Sequence, residues 1–580
     1  MSVDDTTIQQ AIKKIVLRNA IEYGGSARYD VVISKVVGLR PDLRPTIKEQ
    51  LPLIRKIVDG VNSLDHAEQE RMASELMVFE NVTKNAKRKE ELNLPPLQGA
   101  SMGKVVTRFP PEPNGYPHIG HAKAAIIDQE YARMYNGKLI LRFDDTNPLN
   151  EQLEFYDAIR EGLEWLGVKP DLVKNTSDDI DLLQSYGRNM VINGDAYVCT
   201  CRPEDIHSMR ARSVNCPCRG LDSSSDLVAR LNKFFDGSFE QNGAIIRFRG
   251  DMSDLNTAMR DPTLFRIIDA DHPKLGTRIR AFPTYDFAAP IEDSLDGVTH
   301  AMRTKEYELR NPLYFSVLKS LGLRMPSLLE FSRLEFEGMP VSKRKLKPLI
   351  QGGLVSGWDD PRLPTLTALR KRGILPEAIH KFVLSLGISL ADSKPPFESL
   401  ESYNRKLLDR ISLRLFFVKH PVEIRIVDST SRKIELKNHP IAQLGTRNVQ
   451  TSDRIYIDKA DADRLKDGHE IRLMEMHNIR LDETIREKAT EYLRVINTGQ
   501  EIRSNIPKVQ WVSYDDMVPF TVIVPGKLFI NEEFNKDSLY TYNGIAESYV
   551  SKVPTSSNIQ FVRFGFCRLQ TNGVAIYTHD

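Results

Sequence analysis

The 580-residue chain has little excess charge of either sign and no long apolar run. Its formal net charge is only +2, so a polyanionic partner would have to be met by local patches and not by a global field. No early apolar run follows the acidic start Met1–Asp5, and no segment approaches the length of a membrane span. Internal repeats and low-complexity tracts are also missing. We expect a soluble cytoplasmic protein, without membrane contact, whose 41% hydrophobic residues build the cores of several domains.

Cysteine is scarce, and its placement is uneven. Of five cysteines, Cys199, Cys201, Cys216 and Cys218 fall within twenty residues, which is not the spacing of a disulfide framework. Two Cys-x-Cys pairs can bring four thiolates around a tetrahedral Zn²⁺, in a segment too polar to make a core of its own. The alternatives are four free thiols in a reducing cytosol, or three cysteines with His207 as the fourth ligand. We predict a structural zinc site.

The most informative stretch is the turn Pro110–His121, which contains His118-Ile-Gly-His121. Residues 103–109 before it read as a β-branched strand, and residues 122–134 after it have apolar residues three and four apart, as in a helix. At the start of a helix, unpaired backbone N–H groups and the positive end of the helix dipole attract phosphate. Gly120 would let a purine approach the backbone, and the two histidines could hydrogen-bond a phosphate as it becomes five-coordinate. Two such histidines can also merely cap a helix, but the flanking pattern indicates adenylate chemistry.

A second element, Met339–Lys345, lies more than two hundred residues further on. Its Ser342 and Lys343 form a mobile hydroxyl-plus-lysine pair suited to charge that develops on transferring phosphates. A basic run of this kind is otherwise a solvated loop. Together the two elements resemble the paired ATP signatures of class I aminoacyl-tRNA synthetases, although Val341 and Arg344 depart from the usual motif at positions that the family itself varies.

Further motifs narrow the resemblance to the glutamyl- and glutaminyl-tRNA synthetases. In chain order they are Thr107-Arg108-Phe109, Leu139–Pro148, Pro283–Phe287, Gly297–Arg303 and Phe331–Phe336. From about residue 100 onward the chain is most similar to the archaeal and eukaryotic type of glutamyl enzyme, in which the anticodon-binding half is built of β-barrels. Members of this family that bind zinc carry a similar cysteine cluster at the corresponding place.

The resemblance implies ATP-dependent ligation of L-glutamate to tRNA(Glu) through an aminoacyl adenylate, with Mg²⁺ on the pyrophosphate and attachment at the terminal ribose 2′-OH. It assigns His118, His121 and Lys343 to catalysis, without a side-chain nucleophile. The implied ATP-binding residues are Pro111, His118, Gly120, His121, Leu334, Ser342 and Lys343. Those implied for the amino acid are Arg108, Glu112, Asp144, Tyr285 and Arg303.

Arg303 decides between the two amino acids. A buried guanidinium pairs bidentately with a carboxylate, whereas a carboxamide would turn its own NH₂ donors toward a cation that has no acceptor. Glutamate therefore fits better than glutamine, for which the family has a small uncharged residue at this place. The alternatives are a glutaminyl-tRNA synthetase, a tRNA-binding factor without catalysis, and a small nucleotidyltransferase, which would not carry large β-rich domains. Whether tRNA(Gln) is also charged stays open, and we expect a monomer.

The pattern of predicted helices and strands along the chain indicates a multidomain protein with α/β and β regions. Residues 1–98 read as a helical appendage that ends in the charged stretch Lys84–Glu91 and the linker Leu94–Ser101. The other expected regions are a Rossmann-type parallel sheet in two halves (99–195 and 281–350), an inserted acceptor-binding domain with the cysteine cluster (196–280), a helical region that contacts the tRNA stem (351–414) and β-barrel anticodon-binding domains (415–580). Predicted strands in the last region are 422–427, 454–457, 470–473, 520–524 and 574–577.

Overall fold

The computed structural model describes residues 3–22, 25–39, 47–75, 94–220, 224–392, 394–487, 490–571 and 573–580. The chain divides into two compact units, Met1–Leu92 and Asn93–Asp580. Each unit has hydrophobic clusters of its own. The division falls a few residues before the boundary at 98 that the sequence suggested.

The first unit is helical in its described part. Its helices span Val3–Glu22, Tyr29–Leu39, Ile47–Asn62 and His66–Glu75. Ile12, Val16 and Ala20 are fully buried because a spacing of four residues keeps them on one face of the first helix. Polar groups close the loops: Asn19 Oδ1 accepts a hydrogen bond from the Arg28 backbone N–H at 2.8 Å. The helical pattern expected here is present, and the charged stretch Lys84–Glu91 lies outside the described residues.

The second unit begins with three parallel strands, β1 (Val106–Phe109), β2 (Lys138–Phe143) and β3 (Leu172–Asn175), in the order β1-β2-β3. The helices Ile119–Met134 and Leu153–Leu166 connect them. Almost every residue of β1 and β2 is buried, as in parallel sheets covered on both faces. The strand begins three residues later than the sequence suggested, because Ser101–Lys104 forms a turn in which Gly103 has a φ of 76°.

A four-stranded antiparallel sheet interrupts the parallel one. It consists of β4 (Ala196–Cys199), β5 (Ile245–Phe248), β6 (Thr263–Ile267) and β7 (Ala281–Pro283) in sequence order. The helices Ile180–Ile192, Pro203–Ala211 and Ser224–Phe235 accompany it. Phe234, Ile246, Leu264 and Phe265 are fully buried in its core.

The parallel sheet then resumes. Strands β8 (His300–Thr304) and β9 (Ser327–Phe331) pair in parallel, with the helices Tyr285–Leu295 and Asn311–Ser320 beside them. Thr299 fastens this pair to β1, because its backbone N–H donates to Val106 O and its Oγ1 accepts from Val106 N, both at 2.9 Å. The two parallel sheets, β1-β2-β3 and β8-β9, are thus linked next to each other through Thr299 and Val106.

Helices and two large sheets complete the chain. The helices span Lys343–Gln351, Leu366–Arg372, Pro376–Leu386, Glu398–Leu408 and, between strands, Lys459–Lys466. The strands of these sheets are β10 (Leu413–Leu415), β11 (Phe417–Val418), β12 (Pro421–Ile426), β15 (Arg454–Asp458), β16 (Ile471–Leu473), β17 (Asn478–Glu487), β18 (Thr490–Gly499), β19 (Lys508–Val509), β20 (Val512–Ser513), β21 (Met517–Pro525), β24 (Leu539–Glu547), β25 (Asn558–Phe561), β26 (Gly565–Leu569) and β27 (Val574–His579). One sheet has the order β19-β16-β17-β18-β12-β15-β20 and the other β10-β25-β26-β27-β21-β24-β11.

All five strands predicted in this region are present, and their bounds lie within three residues of the expected ones. Two hairpins complete it, β13 (Arg432–Lys437) with β14 (Thr446–Thr451), and β22 (Phe529–Ile530) with β23 (Glu533–Phe534). The multidomain α/β and β-barrel architecture is confirmed. Among the helices of the described ranges, none is both long and apolar enough to cross a membrane.

The hairpin β22–β23 contacts the basic loop around Lys343. Phe529 N donates to Gly338 O at 3.0 Å, and Lys527 pairs with Glu337 at 2.9 Å. Gly338 has a φ of 71°, and a Cβ there would lie 2.6 Å from Phe529 O. Leu528 is fully buried in one cluster with Leu346, Leu349, Val355 and Leu363. The hairpin and the basic loop are thus joined by a backbone hydrogen bond, an ion pair and apolar packing.

Candidate active site

The histidine turn starts the helix Ile119–Met134, with His118 as its N-cap. The helix begins three residues earlier than the sequence suggested, because both histidines satisfy its first backbone groups. Gly120 N donates to His118 Nδ1 at 3.1 Å, and His118 N donates to His121 Nδ1 at 3.2 Å. This reciprocal capping box uses histidines where Ser and Glu are usual. The capping function that was an alternative to phosphate binding is therefore present.

Because capping uses Nδ1 of each histidine, Nε2 is left to donate a hydrogen bond. Because each Nδ1 accepts a backbone N–H, the single proton of a neutral imidazole must sit on Nε2. Burial and the charge of Lys343 lower the pKa of His121 to about 3, and burial with the neighbouring His121 and Lys343 lowers the pKa of His118 well below its ordinary value. The two rings lie 4.0 Å apart, so two neutral N–H donors stand side by side at a helix N-terminus. Such a pair can donate two hydrogen bonds to one phosphate without the repulsion that two neighbouring imidazolium ions would have.

Gly120 keeps the backbone open at this point. A Cβ there would lie 3.0 Å from His118 Cε1 and 3.4 Å from Leu334 O. Leu334 is buried against the turn, and Pro111 accepts the Asp144 backbone N–H at 3.0 Å, which ties the start of the turn to the end of β2. Pro111, Gly120 and Leu334, which the resemblance assigns to ATP binding, therefore lie at or beside the turn.

Lys343 lies directly over the same turn. A Cβ on Gly115 would be 2.9 Å from Lys343 Cε and 3.4 Å from its Nζ, so the lysine fills the space that the missing side chain leaves. Burial lowers the pKa of Lys343 to about 8, while Glu112 favours its charged form. Ser342 is the N-cap residue of the helix Lys343–Gln351, and its hydroxyl makes no capping hydrogen bond. The two elements that the sequence separates by over two hundred residues thus meet at one place.

Arg108 lies in a buried ionic network behind the turn. Its Nε donates to Asp293 Oδ1 at 3.0 Å and its Nη1 to Met302 O at 2.6 Å, with both charged side chains fully buried. Arg142 donates to the same Asp293 oxygen at 2.6 Å, and Tyr314 OH donates to Asp293 Oδ2 at 2.9 Å. These cations hold the pKa of Asp293 low despite its burial. Nη2 of Arg108 is buried without a partner among the described residues.

Arg303 occupies an aromatic cage. Its guanidinium carbon lies 4.8 Å from the ring centre of Tyr307, 5.1 Å from Tyr314 and 5.6 Å from Tyr285. Only 4% of the residue is exposed, and Nη1 donates to Asn311 Oδ1 at 3.2 Å. Within the described ranges no carboxylate lies within 4.0 Å of it, and its Nε is buried without a partner. A buried cation without an anion is costly, so this geometry invites a carboxylate from outside the chain.

Asp144 and Glu112 form the acidic side of the site. Burial, and then the nearby Glu112, raise the pKa of Asp144 to about 7, although Arg142 and a hydrogen bond from Thr146 oppose the shift. The charge of Asp144 also contributes to the raised pKa of Tyr307, which places this carboxylate near the cage. The site thus has cations on one side and carboxylates on the other. This charge arrangement matches an amino acid that carries an α-ammonium group and a side-chain carboxylate.

The residues that the resemblance assigns to the amino-acid pocket therefore lie close together. The sequence did not indicate the residues that surround them. Asp293, Tyr307, Asn311 and Tyr314 orient or surround the two arginines, yet none lies in a motif that the sequence singled out. Their only signal is proximity to the motif 297–303. Asp293 is 185 residues from Arg108, so nothing local could have indicated the pair.

The four clustered cysteines converge. Their Sγ atoms all lie within 4.8 Å of one another, with 3.6 Å between Cys199 and Cys216, 3.6 Å between Cys201 and Cys216, and 3.7 Å between Cys201 and Cys218. A tetrahedron with Zn–S bonds of about 2.3 Å has sulfur–sulfur edges of about 3.8 Å, which these distances match. His207 is exposed on the helix Pro203–Ala211, outside this group. The residues present fit a Cys₄ zinc site.

Comparison with known proteins agrees with this geometry. Residues 104–410 match the family described as "tRNA synthetases class I (E and Q), catalytic domain", and residues 412–497 and 508–570 match two families described as "tRNA synthetases class I (E and Q), anti-codon binding domain".

Curated relatives match almost end to end. A protein of Cenarchaeum symbiosum (strain A) is 47% identical over 98% of both chains, and one of Nitrosopumilus maritimus (strain SCM1) is 46% identical over 99% of this chain and 100% of its own. One of Pyrococcus abyssi (strain GE5 / Orsay) is 37% identical over 99% and 100%. Each is named "Glutamate--tRNA ligase". The chain belongs to the class I tRNA synthetases of the E and Q type.

Proposed function

We propose that this chain is a glutamate–tRNA ligase, which activates L-glutamate with ATP and transfers it to tRNA. The observation that carries the proposal is the meeting of Lys343 with the His118–His121 turn, over the bare Cα of Gly115. This arrangement brings two neutral N–H donors and one ammonium to the same helix N-terminus. The naming of the full-length relatives agrees with it.

In the first step the α-carboxylate of glutamate attacks the α-phosphorus of ATP, and pyrophosphate leaves. His118 and His121 donate from Nε2 to the phosphate oxygens, and Lys343 neutralises negative charge on the leaving group. Mg²⁺ bound with the nucleotide would supply further neutralisation of the phosphates. Since the histidines are neutral and the lysine pKa is about 8, all three groups are in the needed state near pH 7.

Glutamate is held by opposite charges at its two ends. Asp144, with Glu112 nearby, binds the α-ammonium, and Arg303 in its cage of three tyrosines pairs with the γ-carboxylate. The free Nη2 of Arg108 offers a further donor to a substrate oxygen. Glutamine would leave the charge of Arg303 without an anion, which is the physical reason to prefer glutamate.

In the second step the terminal ribose 2′-OH of tRNA attacks the carbonyl of the mixed anhydride, forming the ester and releasing AMP. We propose that the region 196–280 binds the acceptor end, that 351–414 contacts the stem, and that 415–580 reads the anticodon, with tRNA(Glu) as the substrate. We also propose that the enzyme acts as a cytoplasmic monomer. The matches of 412–497 and 508–570 to anticodon-binding families support the last of the three RNA assignments.

Zn²⁺ is proposed as a structural ion on Cys199, Cys201, Cys216 and Cys218. Burial raises the pKa of Cys199 to about 11, so a cation is needed to hold this thiol as a thiolate at neutral pH. When bound, the ion would cross-link the start and end of the segment 199–218.

Aminoacylation with purified components tests the function. The chain, ATP and Mg²⁺ are incubated with glutamate or glutamine, and with tRNA(Glu) or tRNA(Gln) in separate reactions. We expect glutamate-dependent charging of tRNA(Glu). Charging with glutamine instead would make the chain a glutaminyl enzyme, whereas tRNA binding without any turnover would make it a non-catalytic factor. Glutamate charging of tRNA(Gln) would add a second RNA substrate.

A further inference from the structure

A pocket lies in the inserted region, and none of its lining residues belongs to the histidine turn. Its volume is about 610 Å³, and it opens between the helix Pro203–Ala211 and the ends of β5 and β6. Ile206 and Ile245 contribute to an apolar wall, and Arg210, Arg260 and His207 bring cationic or titratable groups. None of the lining side chains in the described part of the chain is a carboxylate. Cys201, one of the four clustered cysteines, also lines the pocket. A concave site with an apolar wall and two arginines suits an anion that carries an apolar body.

The two lining arginines are fixed by backbone carbonyls. Arg210 Nη2 donates to Thr257 O at 2.8 Å. Arg260 Nε donates to Asp254 O at 2.7 Å, and its Nη1 donates to Arg210 O at 3.0 Å. A guanidinium has five N–H donors, so each arginine retains donors that these contacts do not use. Both are held in place without losing their charge to a carboxylate.

A third arginine adds to the positive field. Arg247 is fully buried, its Nε donates to Asp261 O at 2.8 Å, and its Nη1 and Nη2 have no partner among the described residues. Burial, then the charge of Arg247 and that of Arg260, lower the pKa of Arg210 against the attraction of Asp261. Asp261 accepts from Tyr197 OH at 2.7 Å and from a backbone N–H at 2.9 Å, and its Oδ1 lies 3.5 Å from Arg219 Nη1. A second carboxylate, Asp251, is near as well, because hydrogen bonds from Ser253 and then the charges of Arg219 and Arg260 lower its pKa.

The guanidinium groups of Arg210, Arg219, Arg247 and Arg260 thus face two carboxylates, both of which already accept hydrogen bonds from other groups. Such a surplus of positive charge, with Arg247 fully buried and Arg210 and Arg260 partly buried, is stabilised by an anion, and planar guanidinium groups match the oxygens of a phosphate. The apolar wall formed in part by Ile206 and Ile245 is suited to a base or a sugar.

We propose that this pocket binds one nucleotide, with its phosphate on Arg210 and Arg260 and its base or sugar on the apolar wall. The nucleotide is either a residue of bound RNA or a free nucleoside phosphate, because both present the same chemistry. The first source rests on the proposed function, since it requires RNA as a substrate, and the second does not. Either way the site is separate from the one that holds ATP.

Two measurements on the full-length protein distinguish the sources. Equilibrium dialysis with labelled AMP counts nucleotides per chain, and filter binding with tRNA(Glu) at several salt concentrations gives the affinity and its salt dependence. The variants are Arg210→Gln, Arg260→Gln and the double variant. Arg212→Gln is the matched control, since it removes an exposed arginine at the end of the same helix that does not line the pocket. Thermal melting verifies that each variant is folded.

If the source is a free nucleotide, wild type and control bind two AMP per chain and the double variant binds one. If the source is RNA, AMP binds once in every protein, but each arginine variant weakens tRNA binding about tenfold or more and reduces the salt slope by about one. Unchanged AMP stoichiometry together with tRNA affinity equal to that of the control would overturn the proposal.

The rate of glutamate-dependent pyrophosphate exchange in the same variants measures the activity of the site at the histidine turn, independently of the pocket. We expect it to stay at the level of the control, because the pocket is separate from that site. A wild-type chain that shows no exchange would refute the proposed function, while the AMP count would still decide the pocket.

Discussion

Replacing Arg303 with Gln should destroy the preference for glutamate. The arginine is 96% buried, caged by three tyrosines and hydrogen-bonded to Asn311, so its charge is held in the site whether or not substrate is present. Gln is two atoms shorter than Arg, but it keeps a neutral hydrogen-bond donor and leaves a smaller cavity than Ala. The expected defect is therefore chiefly electrostatic.

The magnitude follows from the burial of the pair. Removing one partner of a buried, hydrogen-bonded charge pair costs about 2–5 kcal/mol, because the other charge is left desolvated. At 1.36 kcal/mol per factor of ten, kcat/KM for glutamate should fall roughly 30- to several-thousand-fold. Glutamine has no γ-charge to lose, so its much lower kcat/KM should change little or rise. The ratio between the two amino acids should thus move by at least roughly 30-fold.

The assay is kcat/KM for glutamate and glutamine in the presence of tRNA(Glu), together with ATP affinity. Arg310→Gln is the matched control: its guanidinium lies 5.8 Å from the centre of the Tyr307 ring, but it is half exposed and already paired with Asp286 at 2.8 Å. We expect the control to keep the wild-type preference. If Arg303→Gln keeps it as well, the γ-carboxylate is read elsewhere, and the main reason to reject glutamine disappears.

Four further outcomes follow from the site. Lys343→Ala should slow adenylate formation by roughly two to three orders of magnitude with a smaller change in ATP affinity, because the charge it meets develops only in the transition state. Gly115→Ala should lower kcat about ten- to a hundredfold without lowering the melting temperature, because its Cβ would lie 2.9 Å from Lys343 Cε and displace a flexible side chain. Below pH 7 the KM for glutamate should rise about tenfold per pH unit as Asp144 protonates, and above pH 8 activation should fall as Lys343 loses its proton. Purified protein should contain about one Zn²⁺ per chain, and Cys199→Ser should lose it and impair tRNA charging more than ATP binding.

Each outcome has a control. Arg344→Ala removes the exposed neighbour of Lys343 and should leave pre-steady-state activation unchanged; equal rates in both variants would make the loop structural. A lowered melting temperature in Gly115→Ala would show that the glycine serves folding. A flat KM between pH 5 and 8 would contradict a carboxylate with a pKa of about 7. Cys567→Ser, at a buried cysteine outside the cluster, should keep its metal, and metal-free protein with full charging activity would refute the zinc site.

The sequence indicated the motifs that form the site, but it did not indicate the distant residues that contact them. The turn at His118 was predictable because a strand, a proline-rich turn and a helix follow one another directly, and each leaves a local pattern. The start of the helix at Ile119 was not, since it depends on imidazole nitrogens that replace the usual capping side chains. The cysteine cluster and the late strands were also local features, which explains why the sequence sufficed for them.

Pairings between distant residues left no such pattern. Asp293, which neutralises two arginines, lies on a helix in which a carboxylate would ordinarily be read as solvent-facing. Tyr307 and Tyr314 read as ordinary helical residues until the chain folds them around Arg303. The family resemblance supplied the two arginines and the acids, whereas the surroundings that fix their charge and orientation came only from the structure. The catalytic and binding roles of these residues remain predictions.

The contact between the hairpin β22–β23 and the basic loop bears on how this protein can be divided. A fragment that ends near residue 411 would keep the whole matched catalytic region, yet it would remove Leu528 from the apolar cluster and leave Leu346 and Leu349 facing water. It would also lose the hydrogen bond that Phe529 donates to Gly338. The helix that starts at Lys343 would then lack the surface on which it rests. The catalytic half is therefore not a self-sufficient module, and its shortest stable form should include strands that come more than a hundred residues after its own last helix.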